Sequence, residues 1–539
     1  MALANPILPG FNPDPSITRV DNDFFLVTSS FEYLPGLPIY HSKDLVQWKL
    51  IGHALTKRSQ IHIAAPEPGG GVWAPTLRYH DNVFYLATSK FDRFRPQQNE
   101  RVFPRGFYIK TTNIWDSSSW SDPVYFDVVG LDQDLFWEDD GSVYLSTTHV
   151  KVNRSPDADI SQLDFAIHTC KIDLETGNSI SKSVMIRESP SGIAEGSHIY
   201  RRGGYHYLLT AEGGTGFRHS VWVFRSENGV LGPWTPCPNN PLLSTSTSHE
   251  VQNTGHADFV EDANGQWWAV FLGVRPIRKS DGVWQDSVFG RETFLVQVQW
   301  IDEWPMINHG QKIYLGPEPE PLTRVLWKDE FAEPSLNLGW YRKNTTDKTD
   351  YSIMNNPSRL RLHGGPYNLS VPASPTLLLR KQTHRFCVWE TKLSFHPTAE
   401  HEEAGSVVWW NYLTYSSIGI RKVDYGNNGD ATAKARIIRF RSADCEVVER
   451  KLHSFDSDVV LLIRCGDSRY EFGFKELGKS ENEMLEPQWL GGVSNETMTR
   501  PPPIGLAFSG MLLGLYAFAE FRKCTEPADF HYAEFRLRD

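Results

Sequence analysis

Five side chains capable of acid–base chemistry, hydrogen bonding or ring stacking recur along the first half of the chain at a nearly constant interval. They are Asp14, Trp73, Asp132, Glu195 and His256, and each lies nine or ten residues ahead of a strand-like stretch. The starts of these stretches are 59, 60, 63 and 61 residues apart. Carboxyl groups can act as general base and general acid, and an indole ring can cover an apolar ligand face. Three carboxylates, a Trp and a His around one centre would suit a carbohydrate-cleaving site.

The elements that must position these residues are repeated short strands. The repeated stretches are residues 23–30, 82–89, 142–149, 205–212 and 266–273. Each predicts a strand preceded by a polar turn. A period of about 60 residues with several strands per unit is typical of a propeller. The matching offset then places the five side chains on equivalent strands that face one central point.

Each candidate also has a purely structural interpretation. Asp14, bracketed by two prolines, could cap an Asx turn, Glu195 could cap another turn, and a lone His256 is usually a hydrogen-bonded core residue. The shared offset favours the functional interpretation. Asp132 and Asp134 would share one strand face, so strand register alone does not choose between them, whereas the repeat offset favours Asp132.

Length and composition limit the classes of protein. A chain of 539 residues is too long to form a single hydrophobic core, so two domains are predicted. The net charge of −11, without a basic block, argues against nucleic acid or an anionic membrane as partner and suits a neutral ligand. No apolar run is long enough for a transmembrane helix.

The expected compartment is the cytoplasm. The start of the chain shows neither the charged nor the apolar region of a signal peptide, although secretion is expected if the natural chain carries a leader. The six cysteines are scattered and predict free thiols. Cys445 and Cys465 fall in neighbouring predicted strands and could pair.

The pattern of predicted strands changes after about residue 316. Residues 1–316 carry the five repeats, and residues 317–326 form a proline-rich, stiff linker. Residues 327–539 contain long alternating strands and predict a two-sheet sandwich. These strands are expected at residues 376–380, 386–395, 405–410, 435–441 and 459–464.

Signatures of several other enzyme classes are absent. The sequence contains no G-x-S-x-G, H-E-x-x-H, P-loop or G-x-G-x-x-G motif. No redox chemistry or organic cofactor is indicated.

Several motifs in one order resemble a known family. They are residues 5–16, 31–36, 39–44, 71–75, 194–196, 211–214, 255–257, 290–293 and 508–510. Together they resemble glycoside hydrolase family 43, and especially its two-domain β-xylosidase and α-L-arabinofuranosidase members. The resemblance covers nearly the whole chain.

The resemblance implies an all-β chain with a five-bladed β-propeller followed by a concanavalin A-like β-sandwich. It also implies an inverting mechanism in which Asp14 is the general base, Glu195 the general acid, and Asp132 tunes and orients the acid. The other implied site residues are Phe31, Trp73, Ala74, Arg291 and Phe508 around the pocket and His256 beneath it. Phe508 would lie on a loop that the sandwich sends to the active site. A structural calcium ion near His256 is compatible with the resemblance, as is a homodimer or homotetramer.

The leading hypothesis is an exo-acting enzyme that releases xylose from the non-reducing ends of β-1,4-xylo-oligosaccharides. An α-L-arabinofuranosidase that trims arabinoxylan side chains is the runner-up, and dual activity is compatible with both. A third hypothesis is a non-catalytic carbohydrate-binding protein. Residues 146–151 depart from the family pattern, because they lack the aromatic residue that xylosidases of this type often carry on the leaving-sugar side.

Overall fold

The structure is a computed structural model with two compact units. It describes residues 4–64, 67–93, 104–151, 164–245, 249–279, 281–313, 315, 323–424, 434–454, 456–477, 486–502 and 508–538. The first unit comprises Met1–Trp284 and Phe289–Pro319, and the second comprises Gln285–Val288 and Glu320–Asp539.

The first unit is built from five antiparallel sheets that follow one another along the chain. The first sheet has the order β1-β2-β4-β5, from strands β1 (Ser16–Val20), β2 (Asp23–Val27), β3 (Tyr33–Leu34, outside this sheet), β4 (Gly36–Ser42) and β5 (Lys49–Leu55). The second contains β6 (Gly71–His80), β7 (Val83–Phe91), β8 (Arg105–Thr111) and β9 (Val124–Val129). The third contains β10 (Leu131–Trp137), β11 (Val143–Val150), β12 (Phe165–Ile172) and β13 (Val184–Glu188).

The fourth and fifth sheets complete this unit. The fourth contains β14 (Ala194–Arg202), β15 (Tyr205–Glu212), β16 (Ser220–Ser226), β17 (Thr235–Pro236) and β18 (Leu243–Ser244). The next strands are β19 (Gln252–Glu261), β20 (Trp267–Val274), β21 (Ile277–Arg278), β22 (Trp284–Gln285), β23 (Glu292–Ile301) and β24 (Trp304–Ile307). The fifth sheet has the order β19-β20-β23-β24. Short 3-10 turns lie at Ser117–Ser119 and Asn308–Gly310.

The first strands of the five sheets form a closed ring. Strand β1 contacts β6, β6 contacts β10, β10 contacts β14, β14 contacts β19, and β19 contacts β1. The sheets are therefore the blades of a five-bladed propeller, and the predicted all-β architecture is confirmed. The repeated stretches of the sequence correspond to the second strand of every blade, β2, β7, β11, β15 and β20.

Hydrophobic packing joins each blade to the next. Buried clusters contain Val27 with Leu77, Ala87 with Leu135, Phe136 with Leu208, Leu209 with Phe271, and Val270 with Leu26. Each pair unites residues of two neighbouring blades, and the last pair unites the fifth blade with the first. Burial of this apolar surface is the main force that closes the ring.

The segment before β1 also closes the ring through hydrogen bonds. The backbones of Leu8 and Thr293 pair in both directions, at 3.2 and 3.3 Å. The Asn5 side chain donates to the Leu295 carbonyl at 2.8 Å and accepts from the Leu295 amide at 2.9 Å. The start of the propeller is thereby fixed to β23 in its last blade.

The second unit is a two-sheet assembly of long strands. Its first strands are β25 (Val325–Asp329), β26 (Arg342–Lys343), β27 (Tyr351–Asn355), β28 (Ser358–Leu362), β29 (Thr376–Lys381), β30 (Cys387–Ser394), β31 (Glu402–Asn411) and β32 (Thr414–Asp424). They are followed by β33 (Lys434–Arg441), β34 (Val447–Lys451), β35 (Val459–Cys465), β36 (Arg469–Glu476), β37 (Gln488–Ser494), helix α1 (Asn495–Met498), β38 (Leu512–Ala519) and β39 (Ala528–Leu537). One sheet has the order β27-β28-β39-β30-β35-β36-β37 with β25 beside β39, and the other has the order β29-β38-β31-β32-β33-β34.

The second unit also contains a short segment from earlier in the chain. Residues Gln285–Val288 belong to it, and the amide of Met511 donates to the carbonyl of Val288 at 2.7 Å.

The predicted linker, residues 317–326, falls mostly outside the described residues. All six cysteines are free, with Cys445 exposed and Cys465 buried. In the described part of the chain, no helix has the length and apolar character needed to cross a membrane.

Candidate active site

The residues singled out by the repeat lie on the inner strands of the propeller. Trp73 is in β6, Asp132 in β10, Glu195 in β14 and His256 in β19, whereas Asp14 lies two residues before β1. Because these strands form the closed ring, the structure brings the five residues to one end of the propeller axis.

A recurring backbone irregularity turns these residues away from regular strand geometry. Positive φ angles occur at Asp14 (53°), Ala74 (39°), Asp132 (55°), Gly196 (58°) and His256 (50°). In blades two to five, the register between the first and second strands shifts at this place. Bulges of this kind re-aim a side chain locally. Blades two to five thus share one device at their functional residues, and Asp14, ahead of the first blade, has a positive φ as well.

Gly196 shows why the fourth blade requires a glycine. A Cβ atom built there would lie 3.0 Å from His256 Nδ1 and 3.1 Å from the Cβ of Ala211, at a positive φ. Both the space and the conformation therefore favour Gly at this position. The absence of a side chain lets β14 approach His256 while Glu195 keeps its place in the ring.

Asp14 is buried and surrounded by groups that favour its anion. Its Oδ1 accepts a hydrogen bond from Arg291 Nη1 at 2.9 Å, and its Oδ2 accepts one from Ser29 Oγ at 2.6 Å. Burial alone would raise the pKa of Asp14, but the Arg291 charge and the Ser29 hydrogen bond help to hold it below its ordinary value. Asp14 is therefore ionised over the neutral range.

Ser29 is a site residue that the sequence did not reveal. It donates to Asp14, while its Oγ accepts from the amide of Ala74 at 2.7 Å. The hydroxyl thus links the first and second blades at the carboxylate. Thr215 is a second such residue, since its Oγ1 accepts from Arg291 Nη1 at 3.1 Å and helps to hold the guanidinium. The sequence signals were that Ser29 lies within the repeated stretch 23–30 and that Thr215 follows the motif at residues 211–214.

Glu195 has the opposite protonation preference to Asp14. The pKa of Glu195 is raised to about 7, first by burial and then by the negative charge of Asp14, with Arg291 opposing. Asp132 also has a raised pKa, through burial and the charges of Glu195 and Asp14. The two carboxyl groups titrate as a pair and retain a proton near neutral pH.

One hydrogen bond opposes the rise in the pKa of Asp132. The amide of Gly196 donates to Asp132 Oδ2 at 2.9 Å, which favours the anionic form against burial and the charges of Glu195 and Asp14. Asp134, the other candidate carboxylate on β10, forms an ion pair with Arg78 instead of joining Asp132 and Glu195.

His256 and His219 are neutral, buried neighbours of these carboxyl groups. Burial lowers the pKa of His256 to about 4 and that of His219 to about 3. His219 was not predicted from the sequence. Its ring packs against Gly255, where an added Cβ would come within 2.4 Å.

A metal site near His256 finds little support in the surrounding side chains. Across the described ranges, no three His, Cys, Asp or Glu side chains are grouped so that they could hold a metal ion. Calcium prefers six to eight oxygen ligands, which a neutral imidazole does not supply. The residues present therefore do not fit a calcium ion held by protein side chains at His256.

Aromatic rings form one wall beside Asp14 and Arg291. Phe31 has a positive φ of 48° and lies 5.9 Å from Phe11 and 6.4 Å from Trp73, measured between ring centroids. Arg291 Cζ lies 5.5 Å from the Phe31 ring centre. Trp73 Nε1 donates to the Gly69 carbonyl at 2.9 Å, which fixes the indole. Such a wall can cover the C–H face of a sugar.

The region that departs from the family pattern contains a pair of stacked imidazoles. His149 ends the run 146–149 on β11, and its ring lies 3.6 Å from that of His168 at an interplanar angle of 14°. Thr148 pairs with Leu131, so His149 lies at the same end of the blade as Asp132. Burial lowers the pKa of both histidines, that of His168 to about 4. The run 146–149 therefore ends in His149, stacked on His168, and contains no larger aromatic side chain.

Phe508 belongs to the second unit and is half-buried, in the segment before β38. Its predicted role in closing the pocket stays a prediction.

Comparisons with known proteins agree with this architecture. The family described as Glycosyl hydrolases family 43 matches residues 3–305, and the Beta xylosidase C-terminal Concanavalin A-like domain matches residues 328–536. A non-reducing end α-L-arabinofuranosidase of Bacteroides ovatus is 35% identical over 553 residues, covering 99% of this chain and 95% of the relative. A β-xylosidase of Bacillus subtilis is 31% identical over 440 residues, covering 78% of this chain and 79% of the relative.

The solved structures point the same way. The xylan β-1,4-xylosidase of Bacillus halodurans has a TM-score of 0.85 at 28% identity, covering 99% of this chain and 100% of the other. The inner-strand carboxyl groups thus lie in the propeller that the first family model matches, and the sandwich that follows is matched by the second. The chain is a glycoside hydrolase and belongs to glycosyl hydrolase family 43.

Proposed function

We propose that the chain is an inverting exo-glycosidase that releases xylose from the non-reducing ends of β-1,4-xylo-oligosaccharides. Asp14 acts as the general base that activates water, and Glu195 acts as the general acid that protonates the leaving oxygen. Asp132, held by the Gly196 amide, keeps the proton on Glu195. In an inverting enzyme the base and acid flank the scissile bond, roughly 6.5–9.5 Å apart, to admit the water.

The observation that carries this proposal is the opposite direction of two pKa shifts within one site. The pKa of Asp14 is lowered, and that of Glu195 is raised to about 7. A carboxylate and a carboxylic acid can therefore coexist at neutral pH, which is the pair that inversion requires. A binding protein gains nothing from keeping a carboxyl group protonated, so the arrangement argues against the non-catalytic alternative.

The surroundings suit a small neutral sugar. Arg291 can donate to sugar hydroxyls while it keeps Asp14 ionised, and Phe31 and Trp73 offer flat apolar faces. The xylosidase choice draws support from the relatives named β-xylosidase in Bacillus subtilis and xylan β-1,4-xylosidase in Bacillus halodurans.

A second candidate function is removal of α-L-arabinofuranose side chains. Two observations favour it. The Bacteroides ovatus relative, which matches nearly the full chain, is named a non-reducing end α-L-arabinofuranosidase. In addition, residues 146–151 carry His149, stacked on His168, and lack the larger aromatic residue that the family pattern places on the leaving-sugar side.

The deciding experiment uses an arabinose-substituted xylo-oligosaccharide, with the released sugars separated and identified. Xylose from the unsubstituted non-reducing end supports the xylosidase proposal, whereas arabinose alone transfers it to the second candidate. Proton NMR of the first product identifies its anomer, and α-xylose from a β-linked substrate is expected. An initial β-xylose product would contradict inversion, and sugar binding without turnover would revive the non-catalytic alternative.

A further inference from the structure

A buried polar cluster lies on the propeller axis, one layer along the inner strands from the acid–base residues. Every inner strand contributes to it. Its members are Ser16 of β1, Arg78 of β6, Asp134 of β10, His198 and Tyr200 of β14, and Asp258 of β19. We call this set the axial cluster.

Arg78 is the centre of the axial cluster. Its Nη2 lies 2.9 Å from Asp134 Oδ1, and its Nη1 lies 3.1 Å from Asp258 Oδ2. Nη2 also lies 2.9 Å from His198 Nδ1. One guanidinium therefore connects the second blade to the third, fourth and fifth, and the side chains of both carboxylates are fully buried.

The remaining capacity of the two carboxylates is used by neutral donors. The amide of Ile199 donates to Asp134 Oδ2 at 2.9 Å. Asp258 Oδ2 accepts from Ser16 Oγ at 2.6 Å, and Asp258 Oδ1 accepts from Tyr200 Oη. Burial would raise the pKa of Asp258, but Arg78 and these hydrogen bonds hold it far below its ordinary value. Three of the four carboxylate oxygens thus accept hydrogen bonds, and the fourth, Asp134 Oδ1, lies in the ion pair with Arg78.

Arg78 also fixes the orientation of the His198 ring. A guanidinium only donates, so His198 Nδ1 is the acceptor in this contact. The His198 ring meets the His256 ring at 74° with centroids 6.2 Å apart. His256 in turn packs on Gly196, the residue that follows Glu195 and donates to Asp132. A chain of contacts therefore runs from Arg78 to the acid–base residues.

We propose that the Arg78 guanidinium is the internal cation of the propeller axis and positions the acid–base residues through His198 and His256, in place of a bound divalent metal ion. This inference rests on the proposed function for its catalytic readout. Arg78 touches neither substrate nor reacting atoms and is a positioning residue. The calcium ion that the family resemblance allowed near His256 has no role in this arrangement.

The first test measures metal dependence in the wild-type chain. Metal analysis after exposure to a chelator, and unfolding temperatures with the chelator and with added Ca²⁺, need no catalytic assay. We expect far less than one divalent ion per chain and no shift in unfolding temperature. One retained calcium ion per chain, with a fall in unfolding temperature on its removal, would overturn the proposal.

The second test separates positioning from stability with Arg78→Met, Arg78→Lys and the control Arg201→Met. Arg201 lies on the same blade as His198, but it is exposed and pairs with the exposed Asp139. For Arg78→Met we expect kcat on an aryl pentoside to fall about 10- to 100-fold, as for outer-shell partners of reactive groups, with little change in KM. Arg78→Lys keeps the positive charge but lacks the planar guanidinium that donates to several acceptors at once. Its kcat should therefore lie between those of Arg78→Met and the wild type. Arg201→Met should behave as wild type.

A third variant covers the case in which Arg78→Met does not fold. His198→Asn retains an acceptor for Arg78 and both ion pairs but removes the ring that contacts His256. A folded His198→Asn chain with reduced kcat and unchanged KM supports the proposal, and unchanged kcat contradicts it. A wild-type chain that turns over no pentoside would instead refute the proposed function, while the metal measurements would still decide whether Arg78 is the axial cation.

Discussion

At the residue scale, the site depends on giving two similar carboxyl groups opposite protonation states. Asp14 accepts hydrogen bonds from the Arg291 guanidinium and the Ser29 hydroxyl, which favour its anion. For Glu195, burial and the nearby charge of Asp14 raise the pKa and favour the protonated form. The sequence repeat located both residues, because an equal offset from equivalent strands needs no knowledge of contacts. It did not locate Ser29 or Thr215, because their importance comes from hydrogen bonds between distant parts of the chain.

Replacing the proposed acid should discriminate between leaving groups. Glu195→Ala is expected to lose about 10²- to 10⁴-fold in kcat on xylobiose, because the leaving alkoxide needs a proton. The loss on a 4-nitrophenyl glycoside should be far smaller, since that leaving group departs without protonation. Steady-state rates on both substrates measure the difference. The matched variant Asp14→Ala should lose activity on both alike, and equal losses for Glu195→Ala would refute its role as acid.

The pH profile should follow from the same two groups. Glu195 acts in its protonated form, so kcat/KM is expected to fall as the pH rises through about 7. Asp14 acts as the anion and has a lowered pKa, so activity should persist down to about pH 4. Initial rates between about pH 3.5 and 9 test both limbs. Activity that increases from pH 7 to 8.5 would contradict the assignment.

Stability should reveal the raised pKa of Glu195 independently of catalysis. Between its ordinary pKa of 4.5 and about 7, the unfolded chain has lost this proton while the folded chain keeps it, so stability falls as the pH rises. Glu195→Gln removes that fall and should be more stable than wild type by about 1–2 kcal/mol at pH 8, after allowance for partial exposure. At pH 4 the gain should vanish. Thermal unfolding at both pH values measures it, and an equal effect at both would show that the gain has another cause.

At the element scale, the decisive feature is the bulge repeated in the inner strands. The second strands of the blades and the long strands of the sandwich matched their predicted positions closely, for instance Tyr205–Glu212 and Val459–Cys465. Alternation of apolar and polar residues is enough to predict them. The bulges escaped prediction, because four of the five positive φ angles occur at non-glycine residues, where only the closed ring imposes the strain.

The bulge in the fourth blade can be tested with one methyl group. Gly196→Ala would place a Cβ 3.0 Å from His256 Nδ1 at a φ of 58°, so we expect a loss of about 1–3 kcal/mol in stability and a lower kcat. The control Gly204→Ala lies in the turn of the same blade, where nothing lies within 4 Å of an added Cβ. Thermal unfolding and aryl pentoside hydrolysis provide the readouts. Wild-type behaviour of Gly196→Ala would show that this close approach is not required.

At the scale of the whole molecule, the chain forms two units that are not successive in sequence. The sequence predicted a change of texture near residue 316 and a sandwich after it. It did not predict that Gln285–Val288 belong to the second unit, because four residues carry no periodicity of their own.

Removing the second unit should therefore damage the first. Deletion of residues 327–539 leaves Gln285–Val288 without Met511 and the other residues of their own unit. We expect insoluble or inactive protein, measured by soluble yield and by aryl pentoside turnover beside the full chain. Co-expression of residues 327–539 as a separate chain is the matched control and should restore part of the yield. A soluble, fully active propeller would refute the prediction.

The tetrapeptide Gln285–Val288 also limits how such enzymes can be recombined. A crossover within the proline-rich stretch would bring a new sandwich but leave four residues that match the old one. Arg291, which holds Asp14, follows Val288 by only three residues, so a mismatch would begin next to the residue that keeps the base ionised. Propeller and sandwich are thus expected to be inherited as a pair, and designed chimeras should exchange both segments together.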